Sequence, residues 1–275
     1  IRLDSLFQKA VHYKMPALAI TDHGNMFGAI EFYQQACRHG IKPIIGCEVY
    51  IAPGSRFEKE SRGGAETSYH LILLAQNETG YKNLVCLVSK AYLEGFYYRP
   101  RIDKDLLAEH NEGLIALSAC LHGELAIHIL NQSYSKVLQA ASDYSAIFNN
   151  RRFYLELHEN RIPEQRQVNQ NLLRLAKDLS LPLVATNDCH YLEKNQARAH
   201  DVLLCLQTGK TLDSPDRMKF TTDEFYFKSP EEMAGLFAYA PEALRNTIEI
   251  AERCNLKFEL DRTRFPAFQG PPGIA

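Results

Sequence analysis

Short apolar runs alternate with stretches of helical periodicity along most of the chain, and that order constrains the fold more than any other feature. Residues 15–21 (MPALAIT), 43–51 (PIIGCEVYI), 70–75 (HLILLA), 114–120 (LIALSAC), 153–157 (FYLEL) and 182–186 (PLVAT) have the length and composition of buried strands. Between them, residues 26–39 have helical spacing with Gly40 as the C-terminal cap. Residues 79–93 form a second helical stretch closed by Gly95, and residues 163–179 a long amphipathic one. Strand–helix alternation of this kind predicts a parallel α/β sheet, either open or closed into a barrel.

The last quarter changes character. Residues 225–227 read as a short strand, and Ser229-Pro230-Glu231-Glu232 as a capping box with proline at the first helical position. Residues 241–254 read as another helix. Residues 265–275 (FPAFQGPPGIA) are rich in proline and glycine and read as a linker leaving the domain. The chain starts at Ile1 rather than methionine and enters a helical pattern at once, so the expectation is a fragment or a processed form.

The chemistry-bearing residues fall at the ends of the apolar runs. Asp22 and His23 follow the first, and Glu48 lies late in the second. Cys120 ends the fourth, Glu156 and His158 the fifth, and Asp188 and His190 follow the sixth. In parallel α/β folds the C-terminal strand ends converge on one face, where active sites form. A lone strand-end histidine is most often a hydrogen-bonded structural group. Several His, Asp and Glu with one thiol gathered at one mouth are metal ligands by type. His70 starts its run, so its side chain reaches that mouth only if the strand runs the other way or is tilted. Histidine and carboxylate ligands with one thiolate suit zinc, and manganese or iron is compatible with most of them.

Composition excludes several classes. With 45% hydrophobic and 23% charged residues the chain is neither disordered nor fibrous. No stretch approaches the roughly 18 apolar residues of a membrane span, so no membrane partner is expected. Seven cysteines, an odd number with no CxxC pair, argue against both a disulfide framework and a zinc ribbon. Reduced thiols in a cytoplasmic protein fit better. A net charge of -2 gives no whole-domain attraction to nucleic acid, so any such contact must be local. Residues 96–101 (FYYRPR) interleave aromatic and basic groups. Tyr98, Arg99 and Arg101 are therefore candidate DNA contacts, the rings for bases and the arginines for phosphates. The competing reading is a surface loop that packs its aromatics onto the sheet.

Taken in order, Asp22-His23-Gly24-Asn25, Gly46-Cys47-Glu48, Ser68-Tyr69-His70, Ser118-Ala119-Cys120 and Asn187-Asp188-Cys189-His190 resemble the PHP (polymerase and histidinol phosphatase) superfamily. The chain is similar above all to the PHP domain at the N-terminus of bacterial replicative DNA polymerase III alpha subunits. Gly80-Tyr81-Lys82-Asn83-Leu84, Ala116–Leu121, Tyr154-Leu155-Glu156-Leu157 and Phe265-Pro266 add to that resemblance, which covers essentially the whole chain.

The resemblance implies a PHP-type distorted (β/α)7 barrel over residues 1–262, followed by a linker at 263–275 toward a polymerase palm. It implies up to three divalent metal ions held by His23, Glu48, His70, Cys120, Asp188 and His190, with Asp22 orienting a ligand and His158 as an extra ligand. Catalysis would rest on Glu48, Asp188 and His190. The family's first strand, with its His-x-His pair, has no counterpart here, so the expected barrel lacks that strand and the expected metal site is incomplete. The function implied is a metal-dependent phosphoesterase, acting as a 3′–5′ proofreading exonuclease, that also supports the polymerase. Implied partners are primer-template DNA, the remaining polymerase domains, a separate exonuclease subunit and other replisome subunits. A stand-alone histidinol-phosphatase-like enzyme and a purely structural module are the alternatives.

Overall fold

The computed structural model describes residues 1–60 and 67–260. The expected linker at 263–275 lies outside the described residues. The chain opens with helix α1 (Leu3–His12), strand β1 (Ala17–Ile20), α2 (Ala29–Arg38) and β2 (Lys42–Ile51). Strand β3 (Tyr69–Ala75), α3 (Glu78–Leu93), β4 (Arg101–Ile102), α4 (Lys104–Glu109) and β5 (Leu114–Leu117) follow. Then come α5 (Glu124–Leu130), α6 (Tyr134–Ile147), β6 (Phe153–His158), α7 (Pro163–Leu179) and β7 (Leu183–Thr186). A single 3-10 turn (Lys194–Gln196) leads into α8 (Ala197–Thr208), α9 (Pro230–Leu236) and α10 (Pro241–Arg253).

One curled half-barrel sheet carries the strands in the order β1-β2-β3-β5-β6-β7, with β4 beside β2. The expected parallel order holds for β1 with β2, β5 with β6 and β6 with β7. Strand β3 is antiparallel to both of its neighbours. That reversal is what brings His70, at the start of its strand, to the same end as the C-terminal residues of the others. The path ends at β1 and β7, which pair with no further strand among the described residues.

Side chains alternate across a strand, and the sheet uses both faces. The outer face carries Cys47, Val49, Ile51, Leu71, Leu73, Ala116, Leu155 and Leu157 into a core shared with the helices. The inner face carries Ile44, Ile72, Leu74, Ile115, Leu117, Tyr154 and Val184, which pack with Ile250, Ala251 and Cys254 of α10. Helix α10 thus covers one end of the curl, held by a hydrogen bond from Asn246 Nδ2 to Leu183 O and one from the Tyr154 hydroxyl to Glu249. At the other end the same inner-face rows continue as Glu48 and Tyr50, His70, Glu156 and His158, and Thr186. The apolar half supplies the packing, and the polar half is a mouth.

Local sequence explains most boundaries. Gly40 is left-handed, as its role as a cap requires, and the Ser229–Glu232 capping box closes in both directions. Helix α2 begins at Ala29 rather than 26 because the Asn25 side chain accepts from the Phe27 N–H and holds the chain in a turn. Residues 225–227 form a single bridge, Tyr191 to Tyr226, and not the expected strand.

At the start of α3 the Asn77 side chain accepts from Gly80 N, and Gly113 packs on top. A Cβ on Gly80 would lie 1.8 Å from Gly113 O, whereas one on Gly235 meets nothing. Gly80→Ala should therefore cost about 1–3 kcal/mol in urea unfolding, while Gly235→Ala, inside α9, should be neutral or mildly stabilising.

Candidate metal centre

The mouth is assembled by backbone pairing. Beyond β1 and β2 proper, Glu48 N donates to Asp22 O and Gly24 N to Glu48 O, so His23 bridges to Glu48. Gly24 is left-handed, and a Cβ there would strike Pro100 Cγ at 2.9 Å and the Tyr50 ring at 3.0 Å, so the turn requires glycine. His70 N donates to His122 O, tying the start of β3 to the loop after β5. Strand β5 stops at Leu117, three residues short of the predicted end, because Ala119 turns left-handed. That turn swings Cys120 into the mouth.

His70 Nδ1 lies 2.5 Å from Glu48 Oε1, and His23 Nδ1 lies 3.7 Å from the same oxygen. Cys120 Sγ is 3.9 Å from Glu48 Oε1 and 3.7 Å from His70 Nδ1. Donor atoms of His23, Glu48 and His70 all lie within 4.8 Å of one another, close enough to hold one ion. Four of the expected ligands thus meet in one contact group. Asp188 and His190 form a second pair at 3.2 Å.

Electrostatics link the two groups. Burial pushes the Asp188 carboxyl up, but the hydrogen bond from His190 and the fields of His158, His190 and His23 outweigh it and hold the carboxyl at about 2. Burial pushes His23 down, against the pull of Glu48. Burial, with the charges of Glu48 and Asp188, pushes the Cys120 thiol well up. That thiol stays protonated unless a cation sits beside it.

His158 is buried at the mouth, with Nε2 3.2 Å from Glu156 Oε1. Its Nδ1 is buried without a hydrogen-bond partner among the described residues. Burial alone would lower its pKa, but the Glu156 hydrogen bond and charge, with Asp188 and Glu48, raise it. Imidazole and carboxylate donors, one thiol and an unsatisfied imidazole nitrogen suit a borderline-soft divalent ion.

The Asp22 carboxyl lies beside Gly28, within the field of His23 and with no hydrogen bond to an expected ligand among the described residues. Its carbonyl does the positioning, accepting from Glu48 N and from the Cys47 thiol. Arg101 is 3% exposed, and its guanidinium donates to the carbonyls of Gly95, Thr67, Arg56 and Glu58. It is a loop clamp and not a surface phosphate contact. Tyr98 is exposed, and the Arg99 guanidinium lies 5.7 Å from the centre of the Tyr50 ring. That ring is itself 5.1 Å from His70 and 6.1 Å from His23.

Glu156 is the residue sequence reasoning undervalued. It accepts from Ala119 N and from the Thr186 hydroxyl and faces His158, while its own N–H donates to the Ser118 hydroxyl. It therefore fixes the ends of β5, β6 and β7 together. Its spacing of two from His158 on one strand face was the available signal. Lys228 was missed as well. It is buried beside Glu224 and donates to Asn187 Oδ1 at 3.0 Å, pinning the loop that carries Asp188 and His190.

An α/β mouth lined with histidine, carboxylate and thiol donors is the setting in which the family comparison falls. The PHP domain family matches residues 1–160, and the chain belongs to it. Its sequence is 46% identical over 269 residues to the DNA polymerase III subunit alpha of Treponema pallidum, covering 98% of this chain and 23% of that protein. It is 48% identical over 265 residues to the subunit of the same name from Thermus aquaticus, covering 94% of this chain and 22% of that one. The chain thus spans less than a quarter of the length of these relatives. A solved structure described as a candidate metal-dependent phosphoesterase from Bifidobacterium adolescentis is 12% identical with a TM-score of 0.43, covering 86% of this chain and 90% of that one. That overlap is too loose to bear on function. No helix among the described residues is long and apolar enough to cross a membrane.

Proposed function

We propose that this chain is the PHP domain of a bacterial replicative DNA polymerase and that its mouth is a metal-dependent phosphodiesterase site acting on the 3′ end of a mispaired strand. The observation that carries the proposal is the convergence of His23, Glu48, His70 and Cys120 within contact distance at the strand ends. The strong sequence similarity to polymerase alpha subunits over nearly the whole chain supplies the polymerase context. It also disfavours a stand-alone phosphoesterase.

His23, Glu48, His70, Cys120, Asp188, His190 and the buried His158 would hold the ions, with zinc the best match to the donor set. Bound there, divalent ions would lower the pKa of a water and neutralise phosphate oxygens. The protein's own groups set the geometry. Glu156 locks three strand ends, Asp188 stays ionised, and Arg99 and Tyr98 face the strand at the rim. Polymerisation is assigned to other domains of the same longer chain. Primer-template DNA, a separate exonuclease subunit and other replisome subunits are the proposed partners, and the cytoplasm the proposed location.

The test uses the full-length protein without nucleotides. Hydrolysis of a 3′-mismatched primer should disappear on chelation and return with added zinc or manganese. Hydrolysis that survives chelation contradicts the proposal.

A further inference from the structure

Two large aromatic side chains stand in solvent beside the mouth. Phe27 is 89% exposed and Tyr98 73% exposed. Neither position is accidental slack in a loop. Asn25 Nδ2 donates to His23 O, and its Oδ1 accepts from Phe27 N, so a side-chain lock fixes the backbone that carries Phe27 four residues beyond His23. Tyr98 occupies the tip of a tight turn in which Tyr97 N donates to Arg99 O, and its own backbone is left-handed at φ 57°. A tyrosine rarely adopts that conformation without support. The Tyr97 ring supports the tip by packing edge-on at 4.6 Å, and the buried Arg101 guanidinium lies 5.0 Å from the Tyr97 ring.

The two turns touch. Gly24 and Pro100 are so close that a Cβ on Gly24 would sit 2.9 Å from Pro100 Cγ. Arg99 follows Tyr98 in the second turn and lies over the Tyr50 ring, which contacts both His23 and His70. Two contacting turns at the rim of the ligand cluster therefore each expose one aromatic side chain, and the second adds Arg99 beside Tyr50. Polar His23 and Asn25 and the Arg99 cation stand at this rim, and the exposed Tyr92, Leu93 and Phe96 lie just before the second turn in the chain. Exposed rings interleaved with arginine are suited to the π-faces and phosphates of single-stranded nucleic acid.

We infer that Phe27 and Tyr98 form a stacking platform for the unpaired terminal bases of one nucleic-acid strand, with Arg99 on a backbone phosphate, so that a phosphodiester is presented to His23, Glu48 and His70. The inference deepens the phosphodiesterase reading and rests on it for the fate of that phosphodiester. It adds a substrate rule. Bases must be free to stack on the rings, so frayed or mispaired ends enter and fully paired ends do not.

The test is made on the full-length protein. An oligothymidylate carrying 5-iodouracil at its two 3′-terminal positions is irradiated in the complex, and adducts are mapped by mass spectrometry. Adducts on Phe27 or Tyr98 are expected, whatever else the polymerase domains capture. Crosslinks that form only elsewhere overturn the inference. In a second arm, Phe27→Ala and Tyr98→Ala should each raise KM for oligothymidylate hydrolysis by about 5- to 150-fold, the loss of one base stack. Bis(p-nitrophenyl) phosphate has no base to stack, so its KM should move much less. Equal effects on the two substrates, or none, overturn the inference. If the wild type hydrolyses neither substrate, the phosphodiesterase reading falls and the crosslink alone decides whether the platform exists.

Discussion

Asp188→Asn should abolish metal-dependent hydrolysis of a 3′-mismatched primer by the full-length protein while the fold and polymerisation are retained. Asp188 is held in a left-handed turn, paired with His190 at 3.2 Å, and its carboxyl titrates at about 2. It is therefore a full negative charge throughout the working pH range. The amide has nearly the same shape but no charge, and its nitrogen presents a donor where an ion needs an acceptor. Loss of a residue that merely orients a metal ligand costs about 10- to 100-fold in affinity or activity, so loss of a ligand should cost at least that. The check is steady-state cleavage with circular dichroism on the same sample. Undiminished cleavage by a folded Asp188→Asn protein would remove Asp188 from the site.

Glu224→Gln should destabilise the chain by about 3–5 kcal/mol, the cost of leaving a buried charge without its partner. Glu224 is 3% exposed and meets Lys194 at 2.8 Å, Arg161 at 3.2 Å and the buried Lys228 at 3.4 Å. Burial raises its pKa, but these cations outweigh burial and leave it below the usual glutamate value. A depressed carboxyl contributes stability above its unfolded pKa and loses it as pH falls through the folded value. Wild-type stability should thus drop on acidification below about 4.5, and the glutamine variant should lack that part of the drop. Burial also pushes the Lys228 ammonium down, with Glu224 opposing. Lys228→Met should therefore recover much of the loss in the Glu224→Gln background, because it removes the stranded charge. Urea unfolding of the four proteins measures the coupling, and strictly additive losses would show that the pair is not coupled. Lys228 also holds Asn187, so the single Glu224→Gln variant should loosen the loop bearing Asp188 and lower hydrolysis as well.

Much of this arrangement could be read in the residues before any coordinates. Short apolar runs bounded by turn residues marked six of the seven described strands within a few residues, and polar residues at their ends marked the mouth, whereas the two-residue β4 lies in no such run. Direction was harder. No local feature of residues 70–75 says that β3 runs against its neighbours, and only the position of His70 hinted at it. Arg101 was misjudged because an arginine among aromatics has the same local sequence whether it faces phosphate or backbone carbonyls. The choice is made by Gly95, Thr67 and the loop at 56–58. Phe225 and Phe227 are buried and strand-like in composition, yet their backbone is spent on the Tyr191 loop and forms no ladder. Glu156 and Lys228 act across distant strands and loops, a kind of contact that spacing along the chain does not encode.

The central claim is that the strand ends build a metal site. It is tested most directly by the metal content of the full-length protein after dialysis against trace zinc, manganese and iron, measured by plasma mass spectrometry. The comparison is with a His23→Ala, His70→Ala double variant. The account predicts tightly retained ions in the wild type and their loss in the double variant. No retained ion in the wild type, or equal retention in both, would contradict it.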